Sequence, residues 1–212
     1  ALGGITYNPN RALVEVLGKV INEKGQIAIP GFYDQVKELT PEEKELIDTT
    51  FDEATHREEV GLKVFHTEDG YNPTEANYFR PTFEINGIYG GYTGDGFKTV
   101  IPKEASAKIS TRLVPDQDPD QIFALVCDFI RKNLPEGMEV TFHSHGGGRA
   151  AWGSPKSRVA ELLKKAYEDV LGKCCFIFGG GSIPVTTELA KYSGAEFVLP
   201  GVGLDSDNIH AP

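Results

Sequence analysis

The sequence predicts an α+β protein: a two-layer open-faced sandwich, with an antiparallel sheet carrying helices on one face, followed by part of a second α/β unit. Three observations lead there. Residues 105–113 alternate, with Ala105, Ala107, Ile109, Thr111 and Leu113 on one side and Ser106, Lys108, Ser110 and Arg112 on the other, so this strand has one dry face and one wet face. A helix over 120–133 follows, with Ile122, Leu125, Val126, Phe129 and Ile130 at helical spacing. Beyond the linker 146–153 the character changes to a lysine-bearing amphipathic helix, a wholly apolar run at 174–178 and a glycine turn.

Taken in order, Asn8 caps a helix with Pro9 in its first turn, and Leu13, Val16, Leu17, Val20 and Ile21 form its apolar stripe before Gly25 ends it. Thr40, Pro41, Glu42 and Glu43 form a capping box for an acidic helix through about residue 53. Residues 52–78 are polar, and their histidines, His56 and His66, are too far apart to share a metal and are expected at the surface. A strand resumes at 80–85, and Asn86-Gly87 is expected to turn it. After the helix over 120–133 another strand is expected at 138–145, with Met138, Val140 and Phe142 inward. Ser154-Pro155 opens a helix that Gly172 ends, residues 174–178 read as a strand buried on both faces, a helix covers about 184–192, and 196–199 is a further strand.

The bulk composition narrows the function. A chain of 212 residues has room for one large or two small domains, and 21 basic against 31 acidic residues give a net charge of -10, which argues against a nucleic-acid partner. No run approaches the ~20 apolar residues of a membrane helix. Cys127, Cys174 and Cys175 lack metal-site spacing and read as reduced thiols of a cytoplasmic protein. The opening Ala1-Leu2-Gly3-Gly4 runs straight into folded pattern and suggests a chain cut from something longer.

Candidate chemistry gathers at four places. Gly91 and Gly96 imitate a phosphate-binding loop, but Phe97 follows where that motif needs Lys, and a strand follows where it needs a helix. What remains is a glycine-rich loop presenting Lys98 and Thr99, at one end of a sheet whose polar face carries Arg112. A guanidinium can grip a carboxylate with two parallel hydrogen bonds, although spacing alone favours a solvated Arg on an exposed face. His143 and His145 share one side of their expected strand and could bind one metal, but no carboxylate is near. Residues 179–182 make a glycine turn before a helix, where free backbone N–H groups can hold an anion or simply turn the chain. His210 lies in a loop with Asp205 and Asp207; Ile209 stands where an EF-hand needs an oxygen ligand, so the choice is between a zinc-ligating and a structural His.

Residues 90–119, with K-T-V-I-P at 98–102 and R-L-V-P at 112–115, resemble the lid signature of the dinuclear zinc exopeptidases. That family includes carnosinase, cytosolic nonspecific dipeptidase, succinyl-diaminopimelate desuccinylase and aminoacylase. G-G-S-I-P at 180–184 and D-N-I-H-A-P at 207–212 resemble two further motifs of the family in the expected order, and the carnosinase-like dipeptidases resemble it most. One departure is Phe178-Gly179, where the family usually has a polar pair such as Arg-Glu.

The resemblance implies a ferredoxin-like lid and dimerisation domain over 1–148, and over 149–212 the C-terminal portion of a three-layer α/β zinc-hydrolase domain. It implies a zinc-dependent dipeptidase acting on dipeptides or N-acyl amino acids, with two zinc ions per complete subunit and a homodimer formed through the lid. Residue by residue, His210 would bind zinc, Gly181 and Ser182 would contact substrate within one subunit, Thr99 and Arg112 would cross the dimer, and His145 would line the cleft. The general base and the other ligands are expected upstream of Ala1, which makes the 212 residues inactive alone. A lid-type module for dimerisation or peptide binding, with no hydrolase attached, is the alternative.

Overall fold

Glu68 and Arg80 are charged side chains buried to 7% and 8% exposure, and the chain around them folds so that neither lacks a partner. The computed structural model describes residues 2–177 and 183–201, and only the backbone at 59, 60 and 184. Arg80 donates from Nε and Nη2 to the two Glu68 oxygens at 2.7 and 2.8 Å, and from Nη1 to Glu38 at 2.9 Å. It also lies over the rings of Tyr33 and Tyr71, 4.6 and 4.5 Å from their centroids. Burial pulls the Arg80 pKa down, but bonds and charge from Glu68 outweigh it and leave the guanidinium raised. Burial, and then the 2.7 Å hydrogen bond donated to Glu38, push the Tyr71 hydroxyl up to about 12. This cluster fastens residues 33–38 and 67–71 to the segment entering the sheet.

That sheet is β1, Thr82–Gly90, paired antiparallel with β2, Ala105–Arg112. Exposure along β2 alternates as the sequence predicts, with Ser106, Lys108, Ser110 and Arg112 outward. The dry side joins a core of Val20, Ile27, Ile29, Phe32, Phe83, Ile122 and Val126, against which Ile109, Leu113, Leu125, Phe129 and Ile130 pack. Helix α5, Pro119–Asn133, therefore buries the stripe its spacing marks out, and Asp118 caps it. Gln117, 1% exposed, closes the β2–α5 turn: its amide donates to Phe32 O at 2.8 Å and accepts from Val114 N–H at 3.0 Å.

Helix α1 spans Pro9–Leu17, with Asn8 accepting from Asn10 N–H. It stops at Gly18, not Gly25; Val20 is still buried because the chain doubles back through an Ile21–Ile27 bridge. Helix α2 keeps its Thr40–Glu43 capping box but covers only Pro41–Leu46. Two short helices, α3 at Glu53–Val60 and α4 at Pro73–Tyr78, occupy the polar stretch; Asn72 and Glu75 make a second capping box there. Helix α6, Arg158–Leu171, is capped by Ser157, not opened by Ser154-Pro155 as expected, and ends at Gly172 in the left-handed conformation, and α7 is Pro184–Ser193.

Four further expectations fail locally. Asn86-Gly87 is no turn: β1 runs through it with a register shift between Ile85 and Gly87, so the hairpin extends to Gly90. Residues 138–145 keep the expected alternation of burial, Met138, Val140 and Phe142 being half-buried, yet are not paired as a strand. In the run 174–177, Phe176 makes one isolated parallel bridge to Ile47 and Ile177 is 72% exposed, so it is not covered on both faces. Residues 196–199 are likewise irregular. Alternation and apolarity select which side chains turn inward; a strand also needs a neighbour to take its hydrogen bonds. Among the described residues no helix is long and apolar enough to cross a membrane.

Replacing Arg80 by Leu leaves the Glu68 carboxylate buried and unpaired, and is expected to cost about 3 kcal/mol in urea unfolding. Asp118 gives a pH test. The Gln121 N–H foremost, with that of Asp120 and the Arg149 charge, holds its carboxyl below the ordinary range. Its contribution is therefore complete above the unfolded value of about 3.9 and is lost as pH falls through the lower folded value. Urea unfolding between pH 5 and pH 2 should show a steeper loss for the wild type than for Asp118→Asn, which keeps the capping oxygen and cannot titrate.

Candidate functional site at the two ends of the hairpin

The β1–β2 hairpin has a loop end and an entry end, and the candidate residues divide between them. At the loop end Gly90 pairs with Ala105, and residues 91–104 form the connection that carries Lys98 and Thr99, both exposed. Asn10 of α1 is anchored at its root, donating from Nδ2 to Gly90 O at 3.3 Å, and a Cβ on Gly90 would stand 1.9 Å from Asn10 Oδ1. Glycine is needed there for close approach, since any side chain would displace the Asn10 amide.

Arg112 occupies the entry end, paired with Thr82, two residues beyond the buried Arg80. Its side chain is exposed and among the described residues makes no hydrogen bond or ion pair, so the guanidinium is available to an external anion. Ala105 and Arg112 are seven residues apart, or about 23 Å along the strand at ~3.3 Å per residue.

A chain of contacts leads from the entry end to the later segments. Arg149 pairs with Asp118, the N-cap of α5, and Gly147 fits against Pro119, where a Cβ would lie 2.9 Å from the ring. Thr187 of α7 donates to Arg149 O at 3.1 Å. His145, exposed, thus sits four residues from a point held to both α5 and α7. Helix α7 has Ile183 as its N-cap, with no side-chain hydrogen bond capping it. Gly181, Ser182 and His210 lie outside the described residues, as does the closing stretch 207–212. Among the described residues no three His, Cys, Asp or Glu side chains come together where they could hold a metal, so His143 and His145 do not form a metal site with described neighbours.

The division between ends is not visible in the sequence, where Thr99 and Arg112 are thirteen positions apart in one continuous motif. The root contact leaves no sequence signal either, because Asn10 and Gly90 are separated by 80 residues and neither is unusual in its own surroundings.

A family model described as a peptidase dimerisation domain, that of the M20 group, matches residues 2–138. This chain belongs to that M20 peptidase family. It is 32% identical to the Cys-Gly metallodipeptidase dug1 of Schizosaccharomyces pombe, over 99% of this chain and 45% of that protein. It is 37% identical to the Beta-Ala-His dipeptidase of Rattus norvegicus, over 99% of this chain and 44% of that protein. Among solved structures, an M20 family metallo-carboxypeptidase from Sulfolobus solfataricus superposes with a TM-score of 0.79 at 30% identity, covering 91% of this chain and 50% of that one. Human carnosine dipeptidase 1 superposes with a TM-score of 0.73 at 25% identity, covering 92% of this chain and 42% of that one. The chain thus spans less than half the length of these two metallodipeptidase and dipeptidase relatives.

Proposed function

We propose that the protein containing these residues is a zinc-dependent dipeptidase, working on dipeptides or related N-acyl amino acids as a homodimer. Residues 1–148 would be its lid and dimerisation domain and 149–212 part of its metal domain. The observation that carries this reading is a match over 99% of the chain to relatives named as metallodipeptidase and dipeptidase. The exposed, unpaired Arg112 on a polar sheet face supports it.

In this reading Arg112 grips the substrate's terminal carboxylate with two hydrogen bonds, which fixes the peptide end-on and selects small substrates. A substrate lacking that charge leaves the guanidinium unpaired, a cost of about 2 kcal/mol. Gly181 and Ser182 contact the substrate, with Ser182 and the turn's N–H groups as donors, and His145 lines the same cleft. His210 supplies one ligand of two zinc ions, and the remaining ligands and the general base are proposed to come from outside the described residues. Bound zinc supplies a polarised carbonyl and an activated water.

A dipeptide is much shorter than β2, so one substrate does not bridge Arg112 and the loop root of the same hairpin. We therefore depart from the expectation that both residues cross the dimer and assign Arg112 to the substrate of its own subunit and Thr99 to that of the partner, a twofold dimer bringing the loop of one lid to the entry end of the other.

Kinetics on the complete protein test the reading. Chelation should abolish dipeptide hydrolysis, and zinc should restore it. Arg112→Ala should lower kcat/KM about 30-fold, mostly through KM, without changing metal content. A dipeptide amide should be a poor substrate already and lose little more in the variant. The isolated 212 residues should hydrolyse nothing. Unaltered kinetics in Arg112→Ala would remove Arg112 from the site.

A further inference from the structure

The connection between β1 and β2 contains no backbone–backbone hydrogen bond of its own from residue 91 to 104. It is also rich in glycine, with Gly91 and Gly96 at positive φ, so chain entropy favours many conformations. One side chain organises it. The Tyr92 hydroxyl donates to Asp95 O at 3.0 Å, closing a three-residue bend. Gly94 lies so close beneath the ring that a Cβ there would approach the hydroxyl to 2.5 Å and Cζ to 2.8 Å. The Lys98 ammonium rests 4.6 Å from the ring centroid, on the face where the aromatic quadrupole attracts a cation. Asn10 and Gly90 secure the root just before Tyr92.

We propose that Tyr92 is a positioning residue: it folds the 91–98 loop around its own ring and, by holding Lys98, sets the backbone that carries Thr99. This role rests on the proposed function only for its consequence, since Thr99 is the residue placed on the partner's substrate. Successive Cα atoms are about 3.8 Å apart, so fixing Lys98 leaves Thr99 little freedom. Without the ring, the substrate would have to order the loop as it binds, and the loss would fall on KM.

The test compares Tyr92→Phe, which keeps the ring under Lys98 and gives up the bond to Asp95, with Tyr92→Leu, which gives up both. Limited trypsin digestion of the complete protein reads the loop directly. Cleavage after Lys98 requires that side chain to leave the ring, and cleavage after Lys103 in the same connection serves as the internal reference. The Lys98-to-Lys103 ratio should rise about fivefold in Tyr92→Leu and less than twofold in Tyr92→Phe. The kcat/KM for dipeptides should fall in the same order, about fivefold for Leu, through KM, with metal content and unfolding midpoint unchanged. An unchanged trypsin ratio in Tyr92→Leu overturns the scaffold. A raised ratio with unchanged kcat/KM overturns the positioning role. A wild type without dipeptidase activity would instead count against the proposed function, and the trypsin ratio would still decide what Tyr92 does to the loop.

Discussion

A guanidinium taken out of water must find partners for its five N–H donors, and at Arg80 this requirement draws separate stretches of the chain together. Glu68 meets it with a two-pronged bond, Glu38 supplies a third oxygen, and the rings of Tyr33 and Tyr71 cover what remains. These partners come from two irregular stretches with little secondary structure to hold them. Once they are drawn to Arg80, the entry of β1 is pinned, and with it the register that sets Arg112 opposite Thr82. The structural ion pair at Arg80 thus lies two positions before Thr82, the cross-strand partner of the residue proposed to grip the substrate.

Much of this fold can be read from the amino-acid order, for definite reasons. The stripe of Ile122, Leu125, Val126, Phe129 and Ile130 and the alternation of 105–112 are local repeats with one geometric solution, and the structure buries those faces. Asn8-Pro9 and Thr40-Pro41 mark helix starts because capping is decided within four residues. Where the reading fails, the deciding partner is distant or missing. Asn86-Gly87 has turn chemistry, yet pairing of β1 with β2 on both sides of it turns the same dipeptide into a bulge. Residues 138–145 alternate without being paired as a strand. Arg80 with Glu38, across 42 positions, and Gln117 with Phe32, across 85, leave no periodic trace at all.

The site is legible in a different way. Its proposed residue types can be read from motifs, since a fork-shaped cation, a hydroxyl and a glycine-rich run are recognisable one by one. Their arrangement was not, because a motif is linear and the hairpin carries its two ends apart. Arg112 stands beside the ion-pair cluster and the contacts leading to α7, whereas Thr99 rides on a loop folded around Tyr92. In the proposed dimer this separation would have a purpose, since two chains can bring together what one chain holds apart.

That joint site can be tested by pairing defective subunits. Arg112→Ala removes the proposed grip, and Thr99→Asp sets a carboxylate against an anionic substrate. Co-expression with two different tags allows the mixed dimer to be purified and assayed on a dipeptide. If Arg112 serves its own subunit and Thr99 the partner's, one site of the mixed dimer has both residues intact, and activity should recover to about half that of the wild type. A mixed dimer as inactive as its two parents would contradict a site divided in this way.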